Sequence, residues 1–387
     1  MIKKVYGAKG IKTKKFDEFC RFISNLTDLK AAHSHLSDFK LIYIIREIME
    51  LTPVTPASLK EGAKLLLNGG LVAFPTETVY GLGADAFNPA ALAKVFEVKG
   101  RPHFDPLIIH IADIESLEKT ADLSQLNDDT RKKLFLLTEK FWPGPLSIIL
   151  PKNKKIPGIA TAGLPTAAIR FPDNSAALKL ISLTSGAVAA PSANPFGSLS
   201  PTRAEHVLDK LGAKIDMILD GGPAQIGVES TVLDLTGKEI KILRPGGTPK
   251  EAIEKLVGAV LSDNENDNSS APSSPGLLKS HYAPGKALSV FNKDEIIKKP
   301  YEADGIAFLF FDDCTKDAWL DLQKPPANAV FKVLSKSGQK PEAASRLFDI
   351  LHQFDNDENI SCIIAQKAPQ QGLGEAINDR LLRGSQK

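Results

Sequence analysis

The residues best suited to chemistry are basic side chains at or near the ends of predicted helices and strands. Lys99 and Arg101 close a helix predicted over Asn88–Lys99, and we expect the Gly-Arg-Pro turn to direct both side chains outward. A guanidinium beside an ammonium group is suited to clamping phosphates or carboxylates. Arg170 and Arg244 lie on or after predicted strands, which gives four candidate cations for one anionic ligand. Each cation alone could equally offset a helix dipole or form an ion pair.

Two hydroxyl-rich segments also follow predicted strands. Pro75–Ala86 comes after the strand Leu71–Phe74 and carries Thr76, while its glycines allow a close approach of backbone to a ligand. Ser192 and Asn194 follow a second strand and lead toward a helix. Because ligands of α/β sheets bind where strands end, these groups are suited to ribose hydroxyls or phosphate oxygens.

Several known motifs are absent or incomplete around these residues. The Gly-Leu-Gly at 81–83 is not the dinucleotide-binding fingerprint, and there is no phosphate-binding loop ending in Gly-Lys-Ser/Thr. No nucleophile elbow surrounds Ser192, so a serine hydrolase is a weak interpretation. His110, near the end of a predicted strand, is by itself more typical of a structural histidine. His103 and Asp105 could join the Lys99–Arg101 loop or only be solvated there.

Alternating helical and strand patterns predict how these residues are positioned. From Ser58 to about residue 260, buried-strand patterns alternate with amphipathic helices, which predicts an α/β domain of about 210 residues. Pairs matching the capping box, Thr202 with Glu205 and Thr248 with Glu251, predict the starts of two helices. Residues 262–275 contain almost nothing to bury and predict a linker. A second α/β pattern then predicts a small doubly wound domain.

Composition excludes several classes of protein. The 387 residues are 43% hydrophobic and 24% charged, and the apolar runs are too short for a spanning helix. Three scattered cysteines argue against a disulfide framework or a structural zinc site. A net charge of +2 does not favour non-specific nucleic-acid binding. These features predict a protein of the reducing cytosol with no membrane association.

The first 48 residues differ from the rest of the chain. They carry ten Lys/Arg and five Asp/Glu, so their charge of +5 leaves −3 for residues 49–387. No apolar segment with a cleavage site follows, which disfavours a secretory signal. We interpret this stretch as a dispensable extension or the product of an upstream start codon, since Met49 precedes the first well-formed element.

Six sequence blocks, in order, resemble the threonylcarbamoyl-AMP synthase family with its YrdC-like domain. They are LVAFPTETVYGLGADA, KGRPHFDPLIIHI, FWPGPLSIIL, APSANPFGSLSPT, GVESTVLDL and LRPGG, within residues 57–260, and the resemblance continues through SPGLLKSHYAPGKAL and GLGEAINDRLLRG. It implies a twisted open α/β sheet with a large cavity, plus a smaller Rossmann-like C-terminal domain. The implied divisions are an N-terminal extension (1–48), the catalytic domain (49–261), a linker and lid (262–286) and the small Rossmann-like domain (287–387).

The resemblance also implies an activity and a set of site residues. The implied reaction condenses L-threonine, bicarbonate and ATP to threonylcarbamoyl-AMP and pyrophosphate, with Mg²⁺ accompanying ATP and no structural metal. Lys99 and Arg101, the K-x-R pair, are the implied catalytic residues and contact the triphosphate. The residues implied for threonine are Thr76, His110, Arg170, Ser230 and Thr231. Those implied for the nucleotide are Lys99, Arg101, Thr161, Ser192, Asn194, Ser200, Arg244 and the lid residue Tyr282.

The family resemblance further implies a destination for the product. A separate transferase complex would use it to modify the adenosine 3′ of the anticodon in tRNAs that read ANN codons, so tRNA enters indirectly. Two alternatives remain: an RNA-binding module, disfavoured by the near-neutral charge and few tryptophans, and a carbamoyltransferase of the hydrogenase-maturation type. Members of the latter class are longer and carry zinc-finger cysteines.

Overall fold

The fold is known from a computed structural model that describes residues 51–262 and 281–386. The predicted N-terminal extension and residues 263–280 of the predicted linker lie outside the described residues. Among the described helices, none has both the length and the apolar composition needed to cross a bilayer.

Helices and strands alternate along the described chain, as the sequence predicts. The helices are α1 (Pro56–Leu67), α2 (Pro89–Lys99), α3 (Leu117–Thr120), α4 (Asp128–Phe141), α5 (Ser175–Ser182), α6 (Ala204–Leu211), α7 (Lys250–Val257), α8 (Lys293–Lys298), α9 (Asp313–Leu322), α10 (Lys340–Asn356) and α11 (Leu373–Gly384). The strands are β1 (Thr52–Pro53), β2 (Val72–Phe74), β3 (Gly81–Asp85), β4 (Ile108–Ile111), β5 (Leu146–Pro151), β6 (Thr166–Arg170), β7 (Ala187–Ala189), β8 (Met217–Asp220), β9 (Thr231–Asp234), β10 (Lys241–Arg244), β11 (Leu261–Ser262), β12 (Ala287–Phe291), β13 (Ile306–Phe310), β14 (Val330–Val333) and β15 (Cys362–Gln366).

Within the described residues, β1 to β11 form one mixed sheet in the order β1-β8-β2-β3-β7-β4-β6-β5-β9-β10-β11. At its centre, β4 pairs in parallel with β6, and β6 pairs in antiparallel fashion with β5. This register sets His110 and Ser147 on either side of Arg170. Three polar residues therefore lie side by side on adjacent strands, although the chain separates them widely.

Helix α2 begins and ends where the sequence predicts, and α1 also has a local start signal. Thr55 caps α1 in a reciprocal capping box with Ser58. Asn88 caps α2 and is followed by proline, while Gly100 ends α2 in the left-handed conformation with φ of 60°. That ending places Lys99 in the last turn of the helix and Arg101 just beyond it.

Two local predictions were wrong. Helix α6 begins at Ala204 and α7 at Lys250, and neither has a side-chain cap, so the capping boxes predicted at Thr202 and Thr248 are not formed. The Thr248 amide instead donates to the Thr231 hydroxyl. The Gly-Leu-Gly segment begins strand β3, where a Cβ at Gly83 would lie 2.9 Å from the Phe74 ring.

The C-terminal residues form the predicted smaller α/β unit. Its sheet is parallel throughout, in the order β12-β15-β13-β14. Leu347 and Phe348 of α10 share a hydrophobic cluster with Val79 and Val228 of the catalytic domain. Gly227 has a φ of 77°, and a Cβ there would overlap the backbone of α10, so glycine permits this close packing.

Candidate active site

A polar cavity lies where β4, β6, β9 and β10 meet the loops that follow β2 and β7. Its volume is about 40 Å³. The residues that line it are Thr76, Thr78, Val79, Gly81, Arg101, Ile108, His110, Arg170, Ala190, Pro191, Ser192, Glu229, Ser230, Arg244, His281 and Tyr282. The cavity therefore unites most of the side chains that the sequence singled out.

Backbone pairing brings the two hydroxyl-rich segments together. Gly81 forms an antiparallel bridge with Ser192, and the amide of Leu82 donates to the carbonyl of Pro191. Farther along, the amide of Tyr80 donates to the carbonyl of Pro201. The segment after β7 thus runs beside the segment after β2, which places Ser192 at the cavity wall.

Lys99 is buried, with only 3% of its surface exposed. Its Nζ donates to the backbone carbonyls of Ser192 (2.6 Å) and Asn194, so the lysine ties the end of α2 to the loop after β7. Burial, with a smaller effect from the nearby Arg101, lowers the pKa of Lys99 well below its ordinary value. The expectation that this side chain points outward was wrong, because the loop after β7 covers it.

Arg101 is also buried, and its guanidinium forms an ion pair with Asp105. The Nη2–Oδ2 distance is 2.9 Å, and the same guanidinium donates to the carbonyls of Asp105 and Pro106. Burial raises the pKa of Asp105 despite the opposing effect of Arg101. Asp105 therefore joins this loop as the counter-charge of Arg101, whereas His103 packs against Phe96.

Arg170 and His110 lie next to each other at a second part of the cavity. The Arg170 guanidinium donates to the Thr78 hydroxyl (2.9 Å) and pairs with the Glu77 carboxylate (2.6 Å). The Thr76 hydroxyl lies 2.9 Å from that of Thr78. Burial, assisted by the positive charge of Arg170, lowers the pKa of His110 to about 3, so its imidazole is neutral at neutral pH.

Ser230 and Arg244 form the third part of the wall. Arg244 donates to the Ser230 carbonyl (2.9 Å) and to its hydroxyl (3.2 Å), which also contacts the Ser147 hydroxyl. Gly246 lets the chain after β10 lie directly on this segment, since a Cβ there would overlap the backbone at Ser230. Any larger residue at position 246 would push Arg244 and Ser230 apart.

His281 and Tyr282 cover the cavity. Both are buried, and their rings contact each other with centroids 4.1 Å apart. The Tyr282 hydroxyl has no hydrogen-bond partner among the described residues, and its backbone is left-handed, with φ of 61°. The volume of about 40 Å³ is that of the cavity with both of these side chains in its lining.

Five residues predicted at the site lie outside the cavity lining: Lys99, described above, and four others. Thr161 donates to the Leu164 carbonyl, and Thr231 donates to the Thr248 carbonyl. Asn194 donates to the Pro195 and Ser198 carbonyls, whereas Ser200 donates to Glu229. Their side chains hold the loops around the cavity, and their nucleotide or threonine contacts stay predictions.

Sequence reasoning missed two acidic residues of the site and named only Asp105. Glu229 lines the cavity, and Glu77 pairs with Arg170 as Asp105 pairs with Arg101. A usable signal was present, because Glu77 lies between Thr76 and Thr78 and Glu229 directly precedes Ser230. His281, interpreted from sequence as a linker residue, lines the cavity as well.

Comparisons with known proteins agree with this geometry. A family model described as telomere recombination, Sua5_yciO_yrdC, matches residues 64–246, and one described as the threonylcarbamoyl-AMP synthase C-terminal domain matches residues 248–385. Threonylcarbamoyl-AMP synthases of Pyrococcus abyssi and Bacillus subtilis are each 40% identical to the chain, covering 84% of it and 92% of their own lengths. The chain belongs to the threonylcarbamoyl-AMP synthase family.

A solved structure of this family has the same architecture. The crystal structure of P. abyssi Sua5 complexed with L-threonine superposes with a TM-score of 0.77 at 36% identity, covering 87% of this chain and 98% of that one. The two-part α/β fold expected from the family resemblance is therefore confirmed. The chain is a nucleotidyltransferase of the threonylcarbamoyl-AMP synthase type.

Proposed function

We propose that the cavity condenses L-threonine, bicarbonate and ATP to threonylcarbamoyl-AMP and pyrophosphate. The observation that carries this proposal is the convergence of Arg101, Arg170 and Arg244 on one enclosed cavity lined by hydroxyl groups. ATP, bicarbonate and the product are anionic and threonine carries a carboxylate, and a site surrounded by protein strengthens the attraction of these groups to fixed cations.

Threonine binds at the wall formed by Arg170, His110 and Thr76. Its carboxylate pairs with the Arg170 guanidinium, which Glu77 and Thr78 hold in place. Because His110 is uncharged at neutral pH, its imidazole adds no positive charge that would repel the substrate's ammonium group. The neutral ring accepts a hydrogen bond from threonine instead.

The reaction proceeds in two steps. The threonine amine attacks the bicarbonate carbon, and loss of water gives a carbamate. A carbamate oxygen then attacks the α-phosphorus of ATP, and pyrophosphate leaves with the electrons of the broken P–O bond. Arg101 and Arg244 lie where this negative charge gathers, and the site acts mainly through positioning and electrostatic stabilisation.

Mg²⁺ fits this site as a companion of the triphosphate. In the part of the chain that the structure describes, no group of three or more His, Cys, Asp or Glu residues could hold a metal ion. Glu229, the carboxylate in the cavity lining, already accepts hydrogen bonds from Ser200 and Arg380. When bound to ATP, Mg²⁺ would neutralise part of the phosphate charge.

Substrate entry requires the segment that carries His281 and Tyr282 to move. A cavity of about 40 Å³ is far smaller than the roughly 300–1,000 Å³ of pockets that hold drug-sized ligands. ATP therefore enters when these side chains leave the cavity, and they close over the bound nucleotide. In this proposal residues 262–286 act as linker and lid between domains at 49–261 and 287–387.

The product has a destination outside this chain. A mixed anhydride of a carbamate and a phosphate is reactive, so a separate transferase complex would take it up and transfer the threonylcarbamoyl group to tRNA. We place this reaction in the cytoplasm, where threonine, ATP and tRNA occur together.

Incubation of the purified chain with L-threonine, bicarbonate and ATP tests the proposal. Mass spectrometry is expected to detect threonylcarbamoyl-AMP, with pyrophosphate released in equal amount. Omitting threonine or bicarbonate is the matched control and should abolish both signals. ATP turnover that does not depend on threonine would contradict the proposal.

A further inference from the structure

The last described helix places one arginine behind the cavity wall, against the wall residue Glu229. The side chain of Arg380, on α11, is completely buried. Its Nε donates to the Glu229 carboxylate at 2.6 Å, and its Nη2 donates to the Pro245 carbonyl at 3.0 Å. Its Nη1 bonds to Asp379. The guanidinium thus joins the C-terminal domain to two loops of the catalytic domain.

Glu229 depends on this contact because it is a buried carboxylate in the cavity wall. One of its oxygens accepts from the Ser200 hydroxyl and the other from Arg380. Burial raises the pKa of Glu229, but the charges of Arg380 and Arg244, together with the hydrogen bonds from Ser200 and Arg380, lower it below its ordinary value. Arg380 of α11 thus supplies one of the two cations, and one of the two hydrogen bonds, that favour the ionised glutamate.

The same helix also holds the lid residues. The centre of the Arg380 guanidinium lies 4.8 Å from the centroid of the Tyr282 ring, a cation–π contact. The amide of His281 donates to the Arg383 carbonyl at 3.3 Å. A Cβ at Gly384 would lie 2.9 Å from the Tyr282 carbonyl oxygen, so glycine allows the lid backbone to rest on α11.

We propose that Arg380 is a positioning residue for the adenylation reaction, holding Glu229 and Tyr282 in the geometry that the bound nucleotide requires. This inference rests on the proposed function. It assigns the C-terminal domain a part in building the catalytic site. Only a guanidinium serves here, because its planar fork reaches Glu229, Pro245 and Asp379 at once, whereas a lysine ammonium is a single point charge.

The test compares R380K, E229Q and the double variant E229Q/R380M in the full-length chain. R380K keeps the positive charge but loses the fork, so kcat/KM for ATP and the affinity for ATP in calorimetry should both fall roughly tenfold or more. The KM for threonine should change less than about twofold, since Arg170 and His110 do not contact Arg380.

The double variant removes both charges of the buried Glu229–Arg380 pair, and Asp379 keeps Arg383 as a partner, so it remains suitable for measurement if R380M alone fails to fold. Because Arg380 acts largely through Glu229, E229Q/R380M should lose little more activity than E229Q. R346M is the matched control, since Arg346 pairs with Glu342 on the surface of the same domain. It should behave like the wild type.

Two results would overturn the inference. One is an R380K variant with wild-type ATP affinity and kcat/KM. The other is a large further loss in the double variant: E229Q/R380M would bind ATP more weakly than E229Q by the same factor by which R380K binds ATP more weakly than the wild type. If the wild-type chain made no threonylcarbamoyl-AMP, the proposed function would fail, whereas the ATP affinities would still decide the role of Arg380.

Discussion

Replacing Arg101 by methionine should reduce stability and activity through two separable effects. The Arg101 and Asp105 side chains are 4% and 1% exposed, and their charged atoms lie 2.9 Å apart. Removing one member of a buried ion pair leaves the other as an unpaired buried charge, which costs about 3–5 kcal/mol. At about 2–4 °C per kcal/mol for a domain of about 200 residues, R101M should lower the Tm by roughly 6–20 °C.

The double variant R101M/D105N removes both charges and separates the two effects. It should recover roughly half or more of the lost stability. Recovery is incomplete because the carbonyls of Asp105 and Pro106 still lack their donor, at about 1–3 kcal/mol. Its activity should stay on the order of 100- to 1,000-fold below wild type, the usual loss when a fixed group that stabilises transition-state charge is removed.

The assay combines thermal denaturation with threonine-dependent pyrophosphate release, measured below the Tm of every variant. K133M is the matched control, because Lys133 and Asp129 form an exposed pair with the same four-residue spacing. K133M should lower the free energy of unfolding by at most about 1 kcal/mol and leave activity unchanged. If R101M/D105N regained activity along with stability, Arg101 would serve only to neutralise Asp105, and its catalytic assignment would be refuted.

Three further predictions concern Gly227, Tyr282 and the buried histidines. G227A should be clearly less stable in thermal denaturation than G222A, because both glycines have a positive φ but only a Cβ at Gly227 overlaps a neighbour; equal Tm values would contradict this. Y282F should raise the Tm slightly, because one unsatisfied buried hydroxyl is lost. It should also weaken ATP binding in calorimetry, because we expect that hydroxyl to contact the nucleotide; an unchanged affinity for ATP would contradict this contact. Burial lowers the pKa values of His110, His206 and His281 to about 3, so the unfolded chain binds more protons than the folded chain between about pH 6.5 and 3. The free energy of unfolding should therefore be highest above pH 6.5 and fall on acidification, by at most about 1.4 kcal/mol per pH unit for each histidine. H206Q should reduce this dependence on pH, as measured by denaturant titrations at several pH values.

The sequence predicted the positions of the cations well and their surroundings poorly. Lys99 and Arg101 could be located because α2 has strong local signals, a capping Asn88 and a left-handed Gly100. Their direction could not be predicted. Whether a side chain at the end of a helix points to solvent or inward depends on what packs over it, here the loop that carries Ser192 and Asn194.

The failed capping boxes illustrate the same limit. Thr202 and Thr248 have the right residue types at the right spacing, but contacts with residues farther away along the chain use the backbone at both positions. The Thr202 carbonyl accepts from the Ala224 amide, and the Thr248 amide donates to the Thr231 hydroxyl. A local signal predicts a helix start only when no distant partner competes for the same groups.

The amino-acid sequence by itself determined the alternation of strands and helices, the two α/β parts and the family, since these follow from hydrophobic periodicity and from short blocks kept in order. Tertiary structure alone decided which carboxylate neutralises which cation, because Glu77, Asp105 and Glu229 acquire their roles from burial beside Arg170, Arg101 and Arg380. It also decided that the C-terminal helix contacts Glu229, a residue of the cavity wall. Glu229 and Arg380 are about 150 residues apart, and only the packing of one domain on the other, through Gly227 and its hydrophobic neighbours, brings them into contact.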